Sequence, residues 1–545
     1  MQEYVNELVK EILDKNLDKD QIAKLKLKLC TKYKLKKAPT DIEVLMQVDE
    51  KLLPKLKILQ SKPTRSISGV SPIAVMTEPS DCPHGRCIFC PGGLDSYYGD
   101  VPQSYTGKEP ATMRGIRHNY NAYLQVFNRL EQYALLGHNF DKVELIIMGG
   151  TFPATSIEYQ DLFTLGCFQA MNDFSDIFFD DGIFNIQRFK EFFELPSNVD
   201  DKDREKRLQE KILANRKESE LNLEQKKNEN SNIRCIALCI ETKPDWAMEE
   251  HIEQMLKLGC TRVELGVQST YEDDLKKLNR GHTVEDSIKS IKLMKNALLK
   301  VGFHMMPGLP KSSHEKDVAM FKQIFQDQDY KPDALKIYPC MVMPGTPLQK
   351  MYEQGLFKPI STKEAAELIA DIKLWVPKYC RIMRVQRDIP TFQTEAGVDK
   401  TNLRQYVADV VKEKNIKCNC IRCREPRNRQ INWDNVKLNV MDFEASDAKE
   451  YFITFDDDDI LLGYLRLRIN GEEAGVRELH VFGHAVAIGD KGDVQHKGLG
   501  KKLLEKAEEL SKDCNTIKII SGIGVREYYR KLGYELDGYY MVKSL

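Results

Sequence analysis

Short apolar runs recur along the middle of the chain, separated by segments in which apolar residues have a helical spacing. The runs are Ile73–Thr77, Val143–Met148, Ile233–Ile240, Arg262–Val267, Val301–Met306 and Ala334–Tyr338. Strands that alternate with helices form parallel sheets, because each crossover helix returns the chain to the same end of the sheet. The pattern therefore predicts an α/β fold whose parallel sheet is closed or partly closed as a β/α barrel.

Polar and glycine-rich segments follow each of these predicted strands. They are the Cys82–Cys90 loop, Gly149-Gly150-Thr151, Glu241-Thr-Lys243-Pro, Gln268-Ser, Pro307-Gly308 and Pro339-Cys340. A β/α barrel builds its active site at the carboxyl ends of its strands. We therefore expect the chemistry of this region at that edge of the sheet.

The apolar pattern changes outside this region and divides the chain into four parts. Residues 1–70 are rich in Lys and Leu, which predicts a basic helical module. Residues 71–400 carry the predicted barrel, 401–430 a Cys-rich linker, and 431–545 enough β-type sequence for a small α/β domain. Residues 200–231 are charge-dense without an apolar stripe, so we expect an exposed helix or a mobile excursion there.

The amino-acid composition limits the classes of protein to which this chain can belong. Of 545 residues, 42% are hydrophobic and 30% charged, with a net charge of −1, which is ordinary for a globular protein. No run approaches about 20 apolar residues and no signal-peptide pattern opens the chain, so we predict a cytoplasmic protein without a membrane span. The 14 cysteines then belong to a reducing compartment, where clustered thiols indicate metal more often than disulfides.

One local excess of charge stands out against this balance. Residues 24–37 contain no acid and seven lysines: Lys24, Lys26, Lys28, Lys32, Lys34, Lys36 and Lys37. Such a stretch is a candidate phosphate-binding face, although a solvated helix face explains it equally well.

Three thiols, those of Cys82, Cys87 and Cys90, lie within nine residues and precede a glycine-rich turn. No fourth Cys or His has a spacing that closes a tetrahedral zinc site, and His84 lies inside the loop. A [4Fe–4S] cluster held by three thiolates leaves one iron free to chelate the amino and carboxylate groups of a small molecule. We favour this interpretation over a zinc ion completed by a distant residue.

The cysteine loop resembles that of the radical S-adenosylmethionine superfamily, whose usual intervals are three and then two residues; here they are four and two. The resemblance implies a [4Fe–4S] cluster, S-adenosylmethionine and an electron donor. It also implies that Gly149 and Gly150 let the backbone approach the methionine amino group. The strand-end residues Glu241, Lys243 and Gln268 are further candidates for cofactor binding.

A second cofactor motif precedes an amphipathic helix near the C-terminus. Its residues are Gln495-His-Lys497-Gly498-Leu499-Gly500. Small residues let consecutive backbone amides point at a pyrophosphate, and the helix adds its N-terminal dipole. The motif resembles that of the GNAT acetyltransferases, which implies acetyl-CoA; an ordinary helix-start turn is the alternative. Tyr528 and Tyr529 follow in a later predicted helix. A tyrosine at this place can reach the coenzyme A sulfur, although two tyrosines on a helix can also serve only to pack the core.

A further group of thiols, Cys418, Cys420 and Cys423, lies in the linker. This spacing favours a structural Zn²⁺ over free cysteines. The fourth ligand is not evident, and Cys340 and Cys380 are both chemically suitable.

Long segments, in the right order, resemble the catalytic subunits of Elongator in their archaeal form over essentially the whole chain. They are Lys62–Val70, Pro91–Gly93, Gln103–Gly107, Asp141–Phe152, Leu335–Pro339, Arg384–Pro390, Val476–Val481 and Tyr528–Tyr534. The implied activity is synthesis of 5-carboxymethyluridine at the wobble uridine, in the anticodon stem-loop of tRNA. A 5′-deoxyadenosyl radical would take hydrogen from the acetyl-CoA methyl group, and the carbon radical would add to carbon 5 of uracil before oxidation and thioester hydrolysis.

The resemblance also implies site residues and a tRNA-binding role for the N-terminal module. The implied acetyl-CoA site comprises Lys142, Glu478, Leu479, His480, Val481, Gly498, Leu499, Gly500 and Tyr528. The candidate catalytic residues are Lys142, Glu478, Tyr528 and Tyr529. One rival is a protein lysine acetyltransferase that uses Glu478 as its general base and keeps the iron–sulfur domain as scaffold. A second rival is a non-catalytic RNA-binding scaffold.

Overall fold

The computed structural model describes residues 2–15, 17–35, 38–45, 47–48, 50–59, 69–195, 201–427, 429–483 and 498–545. Its strands are β1 Ser71–Met76, β2 Gly93–Ser96, β3 Gly99–Val101, β4 Lys142–Met148, β5 Phe179–Asp180, β6 Ile183–Phe184, β7 Arg234–Thr242, β8 Arg262–Gln268, β9 Lys300–Met305, β10 Ala334–Ile337, β11 Arg381–Arg384, β12 Val436–Ala445, β13 Ala448–Asp457, β14 Ile460–Asn470, β15 Glu473–Val481, β16 Thr516–Ile520, β17 Glu535–Asp537 and β18 Tyr540–Ser544.

Its α-helices are α1 Gln2–Lys15, α2 Lys19–Lys32, α3 Asp41–Leu45, α4 Pro110–Arg117, α5 Ala122–Leu135, α6 Ile157–Phe178, α7 Ile186–Phe192, α8 Lys202–Ala214, α9 Leu221–Asn228, α10 Glu249–Lys257, α11 Glu272–Lys277, α12 Val284–Asn296, α13 His314–Gln326, α14 Pro347–Glu353, α15 Thr362–Ile372, α16 Leu403–Glu413, α17 Ile421–Arg424, α18 Leu499–Leu510 and α19 Arg526–Arg530. Short 3₁₀ helices include Glu50–Leu59 and Ile523–Val525. None of the helices in these residues is both long and apolar enough to cross a bilayer.

The N-terminal helices α1 to α3 and the 3₁₀ helix Glu50–Leu59 pack around an apolar core of their own. Its central side chains include Tyr4, Leu8, Ile22 and Leu29. Helix α2 begins with a capping box, in which the Asp18 side chain accepts from the Gln21 backbone N–H and the Gln21 side chain accepts from that of Asp18. The predicted helical module is therefore present.

The seven lysines of residues 24–37 differ in how they are paired. Lys26 contacts Asp41 at 2.9 Å and Lys32 contacts Glu7 at 2.7 Å. Lys24, Lys28 and Lys34 are exposed, and Lys36 and Lys37 lie outside the described residues. Three exposed ammonium groups thus remain on this face in the described part of the stretch.

Seven parallel strands form an open sheet in the order β1-β4-β7-β8-β9-β10-β11. This confirms the predicted α/β fold with a partial barrel. The seventh strand, β11, was not predicted, because only Ile382 of its four residues is buried and no apolar run marks it. No pairing joins β1 to β11 in the described residues, so the barrel has a lateral opening between these two edges.

Residues 201–231 are packed against the barrel rather than forming a mobile excursion. Helices α8 and α9 occupy this segment, and α9 lies against α6. The Asn228 side chain is buried; it donates to the Ile233 carbonyl at 2.9 Å and accepts from the Cys235 N–H at 2.7 Å. The segment has no apolar stripe, and the buried hydrogen bonds of Asn228 anchor its end instead.

The C-terminal sheet has the order β12-β13-β14-β15-β16-β18-β17. Its strands are antiparallel except for the pair β15–β16. That parallel pairing runs from Glu473–Thr516 to Val476–Ile519, whereas β15 continues to Val481 without β16 beside it. Because β16 ends at Ile520, the carboxyl half of β15 has no parallel strand beside it on that side.

A buried ion-pair network joins this sheet to the amino ends of β9 and β10. Asp333, directly before β10, contacts Arg477 at 2.7 Å and Arg466 at 3.3 Å. Lys300, the first residue of β9, contacts Glu478 at 2.5 Å. Arg466, Arg477 and Asp333 are all at most 2% exposed. The acetyltransferase-type domain is thus held against the end of the barrel opposite the cysteine loop.

Backbone approaches across this interface are very close. A Cβ atom on Gly522 would lie 2.0 Å from the Ile236 carbonyl oxygen, and one on Gly475 would lie 2.3 Å from the Leu298 side chain. Glycine at position 522 lets the turn before Ile523–Val525 rest directly on β7, and glycine at position 475 leaves room for the Leu298 side chain.

We expect Asp333→Asn to destabilise the chain, because it leaves Arg466 and Arg477 without this carboxylate. Breaking a buried ion pair costs about 3–5 kcal/mol, and a loss of that order should appear in the free energy of unfolding in urea at pH 7. Asp442→Asn is the matched control, since it breaks an exposed pair with Lys449 that is worth at most about 1 kcal/mol. Equal stability of the two variants would contradict the role given to the network.

The pH dependence provides a second measurement on Asp333→Asn. Burial disfavours the Asp333 carboxylate, but Arg477 and Arg466 outweigh burial and hold its pKa below the ordinary value. A carboxyl with a depressed pKa stabilises the fold above its unfolded pKa of about 3.9 and loses this contribution as the pH falls further. The unfolding free energies of wild type and variant should therefore converge on acidification below about pH 4.

Candidate active site

The cysteine loop follows β1 and lies at the carboxyl edge of the parallel sheet. Cys87 and Cys90 are buried and Cys82 is partly buried. All three line a cavity of about 1220 Å³ inside the barrel. The three thiols therefore line one cavity at the predicted edge.

Each sulfur has a donor group nearby. The Ser104 N–H donates to Cys90 Sγ at 3.2 Å, the Arg280 guanidinium donates to Cys87 Sγ at 3.4 Å, and the Thr151 hydroxyl lies 3.7 Å from Cys82 Sγ. Burial raises the pKa of Cys90 to about 11, so its proton leaves at neutral pH only when a metal cation takes its place. Three converging thiols with donors on their sulfurs fit a [4Fe–4S] cluster.

Two glycines shape the adjacent edge of the cavity. Gly149 and Gly150, after β4, have φ values of +128° and +89°. A Cβ on Gly149 would lie 2.1 Å from the Thr77 hydroxyl oxygen, and one on Gly150 would lie 3.1 Å from Gln103 Cβ. Only glycine fits both the backbone and the space here, which leaves main-chain groups next to the cavity.

The three strand-end candidates Glu241, Lys243 and Gln268 also line the cavity. Glu241 accepts from Lys336 at 2.9 Å and from the Tyr105 hydroxyl at 3.1 Å. Burial opposes its charge, but Lys336 outweighs burial and lowers the pKa of Glu241. Lys243 contacts Asp245 at 3.1 Å. The structure thus brings all three residues to the same cavity as the cysteines.

Charged side chains continue deeper into the barrel. Lys336 also pairs with Glu264, and Arg262 pairs with both Glu264 and Glu144. Glu241, Glu264 and His304 are close enough to hold a metal ion. The Lys336 ammonium contacts both carboxylates, so this cation already supplies the positive charge that they need. The inside of the barrel is therefore lined by charged side chains that are paired with partners of opposite charge.

Arginines flank the lateral opening of the barrel on both edges. On the β1 side the cavity is lined by Arg114, Arg117 and Arg129, and on the β11 side by Arg384, Arg387 and Arg422. Burial lowers the pKa of Arg114 to about 10, which still leaves it cationic at neutral pH. An opening with cationic groups on both sides favours a polyanion.

The acetyl-CoA candidates converge at the start of α18. Gly498 is the left-handed N-cap of this helix, with φ +73°. A Cβ on Gly500 would lie 3.1 Å from the Tyr528 hydroxyl oxygen, 3.7 Å from Val481 and 4.0 Å from Leu479. Leu499 points into the domain core. Gln495 and Lys497 lie outside the described residues.

Glu478 and His480 lie on the same strand but face the barrel. Besides Lys300, Glu478 accepts from Arg466 at 2.9 Å and from the Tyr464 hydroxyl at 2.7 Å. Burial opposes the charge of Glu478, but Lys300 and Arg466 outweigh burial and hold its pKa far below the usual range. Burial lowers the pKa of His480 to about 4. Glu478 is therefore an interdomain ion-pair residue rather than a base ready to accept a proton near pH 7.

The three remaining catalytic candidates, Tyr528, Tyr529 and Lys142, are placed differently. Tyr528 is 41% exposed beside Gly500, whereas Tyr529 is buried in the domain core and packs edge-on against Tyr534. Lys142 begins β4 at the end of the barrel that faces the acetyltransferase-type domain; its register partner is Arg234, against which Gly524 packs. Tyr528 is thus the tyrosine available to a ligand.

Family comparisons cover nearly the whole chain. The ELP3 N-terminal domain matches residues 1–67, the radical SAM superfamily 79–324, the radical SAM C-terminal domain 332–413 and the acetyltransferase (GNAT) family 418–534. A tRNA uridine(34) acetyltransferase from Methanocaldococcus infernus is 45% identical over 569 residues, covering 99% of this chain and 98% of that protein. Elongator complex protein 3 of Homo sapiens is 37% identical over 576 residues, covering 99% and 96%.

The chain belongs to the Elongator complex protein 3 family. A solved structure of the archaeal Methanocaldococcus infernus Elp3, with an N-terminal deletion of residues 1–46 of that protein, is similar with a TM-score of 0.71 and 40% identity. It covers 88% of this chain and all of that one. Family membership confirms the radical SAM and acetyltransferase folds, and with them the [4Fe–4S] cluster, S-adenosylmethionine and acetyl-CoA.

The linker cysteines form a compact group in this family member. The sulfurs of Cys418, Cys420 and Cys423 all lie within 4.8 Å of one another, close enough to hold one metal ion. Neither suggested fourth ligand belongs to this group. Cys340 packs beneath the loop of Cys82–Cys90. Cys380 contacts α17 by its backbone, because its carbonyl accepts from the Ile421 N–H. Lys373 lies beside the group instead, with its Nζ 3.6 Å from Cys423 Sγ.

No motif in the sequence marked the arginines of the lateral opening or the charges in the lumen. Lys336, Arg384 and Arg387 lie within the segments that resemble the family, but these segments gave them no role of their own. Alternating strand positions occupied by charged residues, such as Arg262 and Glu264 on the fully buried β8, are the signal that could have revealed the polar lumen.

We expect the wild-type chain to carry one zinc ion per molecule at the linker cysteines, and Cys420→Ser to lose it, because two thiolates retain Zn²⁺ poorly. Inductively coupled plasma mass spectrometry on protein purified without added metal measures this. Cys514→Ser, which alters a buried cysteine of the acetyltransferase-type core, should keep the zinc. Equal zinc in Cys420→Ser and wild type would refute the site.

Proposed function

We propose that this protein forms 5-carboxymethyluridine at the wobble uridine of tRNA, using acetyl-CoA and S-adenosylmethionine. The observation that carries the proposal is the presence of both sites on one barrel: the cysteine cavity at its carboxyl end and the acetyl-CoA fold docked on its amino end. The printed name tRNA uridine(34) acetyltransferase, given to relatives that match almost the whole chain, supports the tRNA substrate.

The cysteine cavity provides the radical part of this reaction. Cys82, Cys87 and Cys90 would hold the cluster, which when bound supplies an electron for cleavage of S-adenosylmethionine and so generates a radical able to take hydrogen from the acetyl methyl group. Gly149 and Gly150 leave room for the backbone to contact the methionine end of the cofactor. Glu241, Lys243 and Gln268 line the same space and would orient it. An external one-electron donor must supply the cluster.

The acetyltransferase fold presents coenzyme A rather than transferring its acetyl group to an amine. The glycines at the start of α18 expose backbone N–H groups to a pyrophosphate, and Tyr528 lies beside them. In the rival lysine acetyltransferase, Glu478 would have to deprotonate the amine. Its ion pairs with Lys300 and Arg466 oppose proton uptake and disfavour that rival.

The anticodon stem-loop would approach the arginine-lined lateral opening. Guanidinium groups on both edges can contact phosphates while an unpaired base enters the cavity. Bases of an anticodon loop are already largely unpaired, so presenting one costs less than flipping a base out of a duplex. None of the 14 cysteines, all of which lie in the described residues, forms a disulfide. This suits a reducing compartment, and we place the protein in the cytoplasm.

We expect Cys87→Ser and Gly500→Val to abolish 5-carboxymethyluridine formation for different reasons. Cys87→Ser removes a cluster ligand and should also stop 5′-deoxyadenosine formation. Gly500→Val fills the space between Val481 and Tyr528, so coenzyme A is excluded while the cluster remains intact. The assay is anaerobic reconstitution with tRNA and both cofactors, followed by nucleoside mass spectrometry.

Lys501→Val is the control for this experiment, because it adds the same side chain to the exposed next position of α18 and should leave the yield unchanged. Acetyl-lysine formation on a peptide is measured in parallel. Robust peptide acetylation by Cys87→Ser, with no tRNA product from wild type, would favour the lysine acetyltransferase.

We expect Arg117→Ala combined with Arg422→Ala to weaken tRNA binding and flatten its salt dependence. These side chains line opposite edges of the opening, and each lost phosphate contact lowers the slope of log affinity against log salt by about 0.7–0.9. Filter binding over a salt series measures the slope. Lys437→Ala, an exposed lysine on β12, should leave the slope unchanged. Replacing the exposed Lys24 and Lys28 together by Ala tests, in the same assay, whether the N-terminal face also contacts tRNA phosphates.

A further inference from the structure

The cysteine loop contains a histidine whose position the cluster chemistry above does not use. Four residues separate Cys82 from Cys87, and the Gly85 N–H closes a turn by donating to the Cys82 carbonyl at 2.9 Å. This turn directs the ring of His84 back toward the cavity, which it lines. Its Nε2 lies 3.3 Å from Cys87 Sγ, and its Nδ1 lies 2.9 Å from Lys243 Nζ.

These two contacts determine which ring nitrogen carries the proton. The Lys243 ammonium has only donors, so Nδ1 of His84 must accept. In a neutral ring the proton is then on Nε2, which faces the Cys87 sulfur. The arrangement is a chain of two hydrogen bonds in one direction, from Lys243 through His84 to Cys87.

The ring is held in this position from behind. Gly281 has φ +76°, and a Cβ there would lie 2.3 Å from the Cβ of His84. Asn279 donates to the Arg86 carbonyl at 2.8 Å, which ties the outer part of the loop to the segment after α11. The segment after α11 therefore holds the His84 ring against Cys87.

We propose that His84 relays a hydrogen bond from Lys243 to the Cys87 thiolate and thereby raises the reduction potential of the iron–sulfur cluster. Hydrogen bonds to cluster sulfurs and nearby positive charge stabilise the more negative, reduced state. Cys87 receives two such donors, His84 and Arg280, whereas Cys90 receives one from Ser104. His84 is thus a positioning residue. The inference deepens the proposed function, because it assigns the control of electron transfer into the cluster to this residue.

Two substitutions at this position separate the parts of the relay. His84→Gln keeps an amide N–H that can reach Cys87, so its cluster should have nearly the wild-type potential. His84→Asn can still accept from Lys243 but is too short to reach the sulfur. At a fixed redox poise its ratio of reduced to oxidised cluster should fall about tenfold, equivalent to about 59 mV for a one-electron couple.

The measurement is a redox titration of the reconstituted full chain, followed by electron paramagnetic resonance, with iron and sulfide content determined on each sample. His314→Asn, which alters an exposed histidine paired with Asp371, is the control and should leave the potential unchanged. A wild-type potential in His84→Asn with full iron content would overturn the relay.

A second readout keeps the proposal testable if the substitutions lose iron. In the wild-type chain without cluster, ¹⁵N spectra of labelled histidine, assigned by the missing signal of His84→Gln, should show a protonated Nε2 and an unprotonated Nδ1 for His84. The opposite tautomer would overturn the relay. The His84 relay rests on the proposed function. If the wild-type chain itself failed to hold iron, that result would count against the proposed function and not specifically against His84.

Discussion

The ion-pair network around Asp333 is the interaction on which the arrangement of the two catalytic folds depends. Its carboxylate is excluded from water between Arg466 and Arg477, and each of these arginines has a second acidic partner, Glu478 or Glu450. Charges buried to this extent are tolerable only when every one is paired. A shift of the C-terminal sheet would leave several unpaired at once, so the network holds a single orientation of the domains.

That orientation sets the geometry of the reaction. The cysteine loop lies at the carboxyl ends of the strands, while β15 is fastened to the amino ends of β9 and β10. The cysteine loop and the acetyltransferase fold therefore lie at opposite ends of one barrel. Barrels usually fill their interior with layers of branched apolar side chains. Here paired charges such as Arg262, Glu264 and Lys336 occupy the lumen and border a cavity, so the interior can admit reactants.

The same network disfavours Glu478 as a general base, because its pairing opposes proton uptake. Glu478 lies on β15 of the acetyltransferase fold, where a base of a lysine acetyltransferase is expected, but its side chain faces the barrel. In this chain its two carboxylate oxygens are engaged by Lys300, Arg466 and Tyr464. The carboxylate stabilises the contact between the domains, and the exposed hydroxyl of Tyr528 remains the polar group beside Gly500.

The sequence by itself determined six of the seven barrel strands, the cysteine loop at their carboxyl edge and the glycines at the start of α18, because apolar periodicity and short motifs are local properties. The resemblance over the whole length of the chain added the family to which the protein belongs. Only the tertiary structure showed the unmarked edge strand β11, the arginines of the lateral opening and the buried position of Tyr529. It alone paired Asp333 with Arg477, 144 residues apart, and brought Lys243 to His84. Such contacts depend on which distant segments fold together, and no local pattern of residues records that.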